Sequence, residues 1–223
     1  MSAIGEVLQE EGATAGGRRP LGWRTLVRWF GIACLVLASG IGGYIGWLLW
    51  GTGLETRAAQ ATLRADFLPT IGTLPPDEAP TGPGRRPLPG DAYAELVIPR
   101  ISLDMIVIEG TDYTDLKSGP GHYSFTADPW QDRGRVGIAG HRTTYLAPFW
   151  DLQDMRVGDP ITLRTRFGVF HYDVDRAPFV LPASTAGVVL DQTKQPTLVL
   201  TTCNPRFGAS QRLIVTADRS EAG

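Results

Sequence analysis

The apolar residues of this chain follow two different patterns, and the change between them lies close to residue 93. Residues 29–50 form an uninterrupted apolar block without a charged side chain. A helix over this block would be ~33 Å long at ~1.5 Å per residue, which is enough to cross a bilayer. The pattern therefore predicts one transmembrane helix ahead of a differently built C-terminal part.

Short β-branched runs, separated by turn residues, fill the chain from residue 94 onward. Runs of this kind are typical of β-strands. The predicted strands are 95–99, 105–109, 136–139, 161–166, 169–175, 179–181, 197–202 and 213–217. Helical turns are predicted at 114–117, with Thr114 as the cap, and at 149–152. The strand spacing is that of an all-β barrel or sandwich.

The composition of the remaining segments predicts how the chain is organised. Residues 54–67 have a composition compatible with a helix, and the prolines between residues 69 and 90 indicate a semi-rigid linker. We expect a cytoplasmic tail at 1–28, the transmembrane helix at 29–50, an extracellular stalk with a Pro/Gly-rich linker at 51–92, a β-domain at 93–219 and a C-terminal tail at 220–223.

Basic residues before the apolar block predict its orientation; they are Arg18, Arg19, Arg24 and Arg28. Such residues favour the cytoplasmic side, so the C-terminal domain is expected outside the cell. The alternative is a cleaved secretory signal, because Arg18-Arg19 superficially resembles a twin-arginine signal and Ala59-Gln60-Ala61 offers a cleavage site. The apolar core of a signal is shorter, ~7–15 residues, and this block ends well before that site, which favours a retained membrane anchor.

Charge and cysteine content narrow the possible functions. The formal net charge of -2 argues against nucleic-acid binding, which is normally accompanied by clustered Lys and Arg. Of the two cysteines, Cys34 lies inside the apolar block and cannot pair with Cys203. Cys203 is thus an unpaired thiol in the exported domain, which is either kept for chemistry or an inert buried residue.

The position of Cys203 favours chemistry, because it closes the predicted strand 197–202 before Asn204-Pro205 turns the chain away. A thiol nucleophile needs a partner that can hold or supply a proton, and histidine is suitable with an ordinary pKa near ~6.5. His141 is the best candidate because a strand and a glycine turn present it. Arg212 opens the strand expected beside that of Cys203, where it can stabilise negative charge on a substrate oxygen.

The other two histidines carry weaker signals. His122 follows a Gly-Pro-Gly turn and is either a group near the site or a loop histidine bonded to backbone. His171 alternates within a predicted strand and has little catalytic weight. Scattered histidines and one usable cysteine do not make a zinc pattern, and a phosphate-binding glycine loop is not evident, so neither a metal nor another cofactor is expected.

Taken together, the motifs resemble those of the sortase family, specifically the class E sortases of high-GC Gram-positive bacteria. The resemblance covers about residues 96–217. Its motifs are Ile98-Pro99-Arg100-Ile101, Gly119-Pro120-Gly121-His122-Tyr123, Ile138-Ala139-Gly140-His141-Arg142-Thr143-Thr144, Thr201-Thr202-Cys203-Asn204-Pro205 and Gln211-Arg212-Leu213-Ile214-Val215. Each is weak alone, but their order makes the set specific.

This resemblance implies a membrane-anchored cysteine transpeptidase built on a closed eight-stranded β-barrel with short helices. Cys203 is then the nucleophile that attacks the Thr carbonyl of a C-terminal sorting signal, and His141 is the general acid and later the base. Arg212 is implied to bind substrate and the developing oxyanion. The implied partners are surface proteins with sorting signals, the amine of the peptidoglycan precursor lipid II, and the membrane.

The same resemblance implies that Tyr123 lines the sorting-signal groove, which in class E sortases is associated with preference for Leu-Ala-x-Thr-Gly over Leu-Pro-x-Thr-Gly. A core-edge residue is the alternative role for this tyrosine. Thr201, Thr202 and His122 are further expected substrate-binding residues. Two other functions stay open: a pilin-polymerising sortase, and a noncatalytic extracellular β-barrel binding module in which Cys203 is inert.

Overall fold

The computed structural model describes residues 22–47, 51–75, 78–79 and 90–220. The chain divides into two compact units, Met1–Gly43 and Tyr44–Gly223. Most of helix α1, Trp23–Gly46, belongs to the first unit, and every residue of this helix is at least partly exposed. Among the described helices, α1 is the one long and apolar enough to cross a membrane.

Helix α1 starts earlier than the apolar block suggested. The predicted start was residue 29, but Arg24 and Arg28 are good helix formers and lie within the helix. The end of the predicted span, residues 48–50, and the predicted tail up to residue 21 lie outside the described residues.

Within its described residues, the second unit contains nine strands and two further helices. Helix α2 is Thr52–Phe67 and helix α3 is Tyr113–Leu116. The strands are β1 Ala92–Ile98, β2 Leu103–Glu109, β3 Gly121–His122, β4 Gly134–Ala139, β5 Pro160–Thr165, β6 Gly168–Val174, β7 Phe179–Pro182, β8 Pro196–Asn204 and β9 Gln211–Ser220. Short 3-10 turns lie at Leu68–Thr70, Pro99–Ile101, Leu152–Asp154 and Ala186–Leu190.

Eight of these strands close into a barrel, as the resemblance implied. They follow the order β6-β5-β1-β2-β3-β4-β8-β9, and pairing of β6 with β9 closes the ring. Strand β9 pairs with two strands along one edge. Its C-terminal half pairs with β6, and its N-terminal half pairs with β7. Strand β7 stays outside the ring. The pairs β2–β3 and β4–β8 are parallel, and the other pairs are antiparallel.

One strand of the barrel was predicted as a turn. Strand β3 consists of Gly121 and His122 only, which is too short to produce an apolar alternation in the sequence. The predicted cap of the helical turn at 114–117 is also wrong. Asp112 caps helix α3 and forms a reciprocal capping box with Asp115, because a carboxylate one residue before the turn reaches its free N–H groups. The second predicted turn begins at Leu152 rather than at residue 149.

The core of the barrel is filled by alternate residues of its strands. In β8, Leu198 and Leu200 are fully buried inside the ring. Between them, Val199 is also fully buried, but it packs outside the ring with Ile214 of β9 beneath the 3-10 turn Ala186–Leu190. Both faces of β8 are therefore apolar near its middle, which explains its unbroken apolar run.

Helix α2 packs against the barrel through a polar stripe at four-residue spacing, Thr52, Thr56, Gln60 and Arg64. Such residues lie on one face of a helix. The Gln60 amide accepts a hydrogen bond from Ile106 N and donates to Ile106 O, at 2.8 Å each. The hydrogen bonds between β2 and β3 begin only after Ile106. At Ile106 the Gln60 side chain therefore makes the hydrogen bonds that a neighbouring strand would otherwise make.

The rest of the stripe extends the contact along the barrel. Thr56 Oγ1 donates to Lys117 O at 2.7 Å. The Arg64 guanidinium donates to the buried carboxylate of Glu95 at 2.9 Å and to Asp104. The helix expected as part of a stalk thus contacts the barrel along its whole length.

Replacing Gln60 with Ala is expected to destabilise the barrel, because it leaves the buried N–H and C=O of Ile106 without partners. Such a loss costs about 1–3 kcal/mol, equivalent to a melting temperature lower by about 3–10 °C for a domain of this size. Thermal unfolding of a chain that begins at residue 51 measures this change, with exposed Arg57→Ala as the control on the same helix. A chain that begins at residue 90 and melts at the same temperature as the longer chain would contradict the structural role of α2.

Candidate active site

Cys203 lies near the end of β8 on the outer face of the barrel. Leu198 and Leu200 point into the core and Val199 packs outside it, so by alternation Thr201 and Cys203 also face outward. The thiol is partly exposed. Strand β8 ends at Asn204, because Pro205 has no N–H to continue the ladder. The predicted placement of this cysteine at a strand end agrees with the structure.

Arg212 is the direct cross-strand neighbour of Cys203. The two residues pair in the β8–β9 register, and both point outward because Leu213 and Val215 face the core. Side chains paired in this way have Cβ atoms ~4.5–5.5 Å apart. Arg212 Nη1 donates to the carbonyls of Ala209 and Gln211 at 2.9 and 3.0 Å, which fixes the guanidinium over the hairpin that joins the strands.

His141 reaches the same edge from β4. Ala139 pairs with Thr201 in the parallel β4–β8 ladder, and Gly140 N continues the ladder by donating to Thr201 O at 3.1 Å. Since Ile138 faces the core, alternation also places His141 on the outer face. His141, Cys203 and Arg212 therefore lie at one edge of the barrel, and their catalytic roles stay predictions.

Two tyrosines surround the His141 ring. The Tyr145 ring lies 4.8 Å from it, centre to centre, and Tyr113 meets it edge-on at 6.5 Å. The Nε2 atom of His141 is buried and has no hydrogen-bond partner among the described residues. Burial lowers the pKa of His141 below its ordinary value, because an imidazolium loses hydration in this setting.

Tyr123 lies along the outer face of β4 and β8, close to the nucleophile. Its hydroxyl is 3.0 Å from Thr201 Oγ1, on the same face as Cys203. A Cβ atom on Gly137 would lie 3.0 Å from the Tyr123 ring and 2.9 Å from Leu190, so only glycine leaves room between these side chains. Tyr123, Thr201 and Cys203 therefore share one outer face of the barrel.

Two expected substrate-binding residues are instead structural. Thr202 points inward, is 3 % exposed and donates to Gly140 O at 2.7 Å, which fixes the backbone next to His141. His122 is fully buried, with Nδ1 2.9 Å from the Glu109 carboxylate and its ring stacked at 4.1 Å on Tyr93. Neither side chain is accessible to substrate, because the fold uses each of them to hold a neighbouring strand or loop.

Arg142 belongs to the site, although no separate role was predicted for it. It is 7 % exposed, and its Nη1 donates to Cys203 O at 3.2 Å and to Asn204 Oδ1 at 2.5 Å. Nη2 donates to Gln153 Oε1 at 2.8 Å. Its position directly after His141 was the sequence signal for a role in the site, but an arginine in a loop is usually solvated.

Comparisons with known proteins agree with this geometry. A model of the Sortase domain family matches residues 96–220. Sortase D from Bacillus subtilis is 32% identical over 180 residues, which cover 78% of this chain and 88% of that protein. Sortase SrtE1 from Streptomyces coelicolor is 31% identical over 140 residues, which cover 57% of this chain and 40% of that protein.

A solved structure leads to the same family. A Clostridium perfringens Sortase D5 transpeptidase is 29% identical, with a TM-score of 0.54, and the match covers 60% of this chain and 82% of that chain. The family match spans more than half of the sequence and includes β4, β8 and β9. The chain therefore belongs to the sortase family of transpeptidases.

Proposed function

We propose that this chain is a membrane-anchored cysteine transpeptidase that cleaves a C-terminal sorting signal between Thr and Gly and transfers the upstream protein to a cell-wall amine. The observation that carries the proposal is the convergence of Cys203, His141 and Arg212 on one outer edge of the barrel. A nucleophile, a proton carrier and a fixed cation are the groups that acyl transfer requires.

The first half of the reaction forms a thioester. The Cys203 thiolate attacks the Thr carbonyl carbon, and the carbonyl oxygen becomes an oxyanion. When the C–N bond breaks, His141 gives its proton to the leaving glycine amine. Arg212 Nη1 donates hydrogen bonds to the hairpin carbonyls. Its Nε and Nη2 form no hydrogen bond within the described part of the chain, so they are available to bind the oxyanion.

The second half of the reaction transfers the acyl group. The acceptor amine attacks the thioester, His141 takes the amine proton, and the C–S bond breaks to restore the thiolate. Burial lowers the pKa of His141, so the fraction of His141 that carries the proton for the leaving amine falls as the pH rises toward neutral.

Signal preference is a further part of the proposal. Tyr123 contacts Thr201 two residues before the proposed nucleophile, and the motif resemblance matches it to the tyrosine associated with the Leu-Ala-x-Thr-Gly preference of class E sortases. Tyr123 and Leu190 fill the space over Gly137, which holds the Tyr123 ring against the outer face of β4. A sortase D and a sortase E match this chain with similar identity. The proposal that the chain is a class E sortase therefore rests on its expected preference for the Leu-Ala-x-Thr-Gly signal.

Helices α1 and α2 support the proposed membrane location. Helix α1 can serve as a single-pass anchor, and the arginines before and within it favour a cytoplasmic N-terminus with the barrel outside. Cleavage after Ala61 would separate the barrel from the Thr56 and Gln60 contacts, which favours a retained anchor over a cleaved signal. Surface proteins with sorting signals and the amine of lipid II are then the partners.

The direct test is cleavage of fluorogenic Leu-Ala-x-Thr-Gly and Leu-Pro-x-Thr-Gly peptides by the purified full chain in detergent. We expect cleavage between Thr and Gly, amide formation with an added amine, and a loss of at least ~10³-fold in Cys203→Ala. A folded wild-type protein with an alkylatable thiol and no activity on either peptide would favour a different signal or the noncatalytic binding module.

Replacing Tyr123 with Ala is expected to reduce the ratio of kcat/KM for the Leu-Ala and Leu-Pro peptides by ~10-fold, because the groove then has room for proline. Discrimination by pocket shape is normally ~10–200-fold. Tyr123→Phe is the matched control, since it keeps the ring and loses only the bond to Thr201. An unchanged ratio in Tyr123→Ala would show that the tyrosine does not set the preference.

Replacing Arg142 with Met is expected to lower kcat/KM by ~10–100-fold, as expected for a small displacement of a catalytic group. The substitution frees the Cys203 carbonyl and removes a buried cation that attracts the thiolate. Arg142→Lys keeps the charge and should recover part of the activity. The rate of Cys203 alkylation at fixed pH should fall in parallel, whereas exposed Arg133→Met should change neither rate.

A further inference from the structure

We propose that Tyr145 is a positioning residue for His141, and that helix α2 and Tyr113 hold Tyr145 in place. The inference rests on the proposed role of His141 as the proton carrier. It gives the segment between the apolar helix and the barrel a function in the reaction as well as in stability.

The contacts around His141 define the arrangement. Tyr145 is 7 % exposed, and its ring lies at 37° to the His141 ring with 4.8 Å between centres. Tyr113, from α3, meets the same imidazole edge-on, and its hydroxyl is 2.9 Å from that of Tyr145. The two tyrosines form a joined pair around the imidazole, which limits the rotation of His141.

The loop that carries Tyr145 has an unfavourable backbone conformation. Tyr145, Leu146 and Ala147 have φ values of 53°, 63° and 45°. Consecutive residues with side chains in the left-handed region are unfavourable, and they persist only where surrounding contacts enforce them. The position of Tyr145 is therefore set by what the loop packs against.

The first turn of α2 supplies these contacts. Tyr145 N donates to Thr52 Oγ1 at 3.3 Å. A Cβ atom on Gly53 would lie 3.2 Å from the Leu146 side chain, so the glycine lets the loop approach the helix closely. Helix α2 is in turn held on β2 by Gln60. A chain of direct contacts thus runs from the barrel through α2 to the catalytic histidine.

The charges near this arrangement fit a positioning role. The hydrogen bond with Tyr113 is the main cause that raises the pKa of Tyr145 to about 12, so its ring stays neutral at working pH. The charge of Glu55 in α2 also raises the pKa of Tyr145. The buried guanidinium of Arg142 comes directly after His141 in the chain. The tyrosine pair thus contributes cover and orientation to His141 without a charge of its own.

The test compares variants of the full chain in detergent, with peptide cleavage and NMR titration of the labelled His141 imidazole. We expect Tyr145→Leu to lower kcat ~10-fold or more with KM within ~2-fold, because proton transfer is affected and peptide binding is not. Its His141 pKa should rise toward the ordinary value as cover is lost. Tyr145→Phe keeps the ring but loses the bond to Tyr113, so it should recover part of kcat.

Thr52→Val keeps the Tyr145 ring and tests the link to α2 if Tyr145→Leu does not fold. It should lower kcat ~3-fold or more, whereas Thr62→Val on the exposed side of the same helix should not. An unchanged kcat and an unchanged His141 pKa in Thr52→Val and Tyr145→Leu would overturn the inference. A wild-type protein that cleaves no peptide would contradict the proposed function, and the NMR titration would still decide whether Tyr145 covers His141.

Discussion

Strand β8 pairs with β4 on one side and with β9 on the other, and these two pairings position the candidate site. Parallel pairing brings the C-terminal ends of β4 and β8 to one edge, and antiparallel pairing starts β9 at the same edge. Three distant points of the chain, His141, Cys203 and Arg212, meet there. A slip of one residue would turn the thiol into the core, and Leu198 and Leu200 prevent this by filling the barrel.

Buried polar contacts hold two parts of the fold that apolar packing does not position, strand β3 and the end of β8. Strand β3 has two residues, and the contact between His122 and the Glu109 carboxylate supports its short ladder with β2. Near the catalytic edge, Arg142 binds the last residues of β8. Removing one partner of such a pair leaves a buried polar group unsatisfied, so these contacts specify one arrangement more strictly than apolar packing does.

Helix α2 makes the segment before the barrel part of the domain. Its polar face binds backbone groups of the barrel, and its first turn supports a strained loop that covers His141. The helix therefore contributes to stability at one end and to the geometry of the site at the other. A helix with this interface lacks an apolar stripe, which is why it resembles a solvated stalk in the sequence.

The apolar helix, seven strands of the barrel, and the placement of Cys203, His141 and Arg212 at strand ends could be predicted from the residues alone, because these features depend on local periodicity and turn residues. The other features depend on contacts between distant parts of the chain. Strand β3 is too short for a periodic signal, and His122 and Thr202 look like site residues until burial assigns them to the scaffold. Helix α2, Arg142 and Tyr145 are held by partners far away in the chain, and such contacts exist only once the barrel closes.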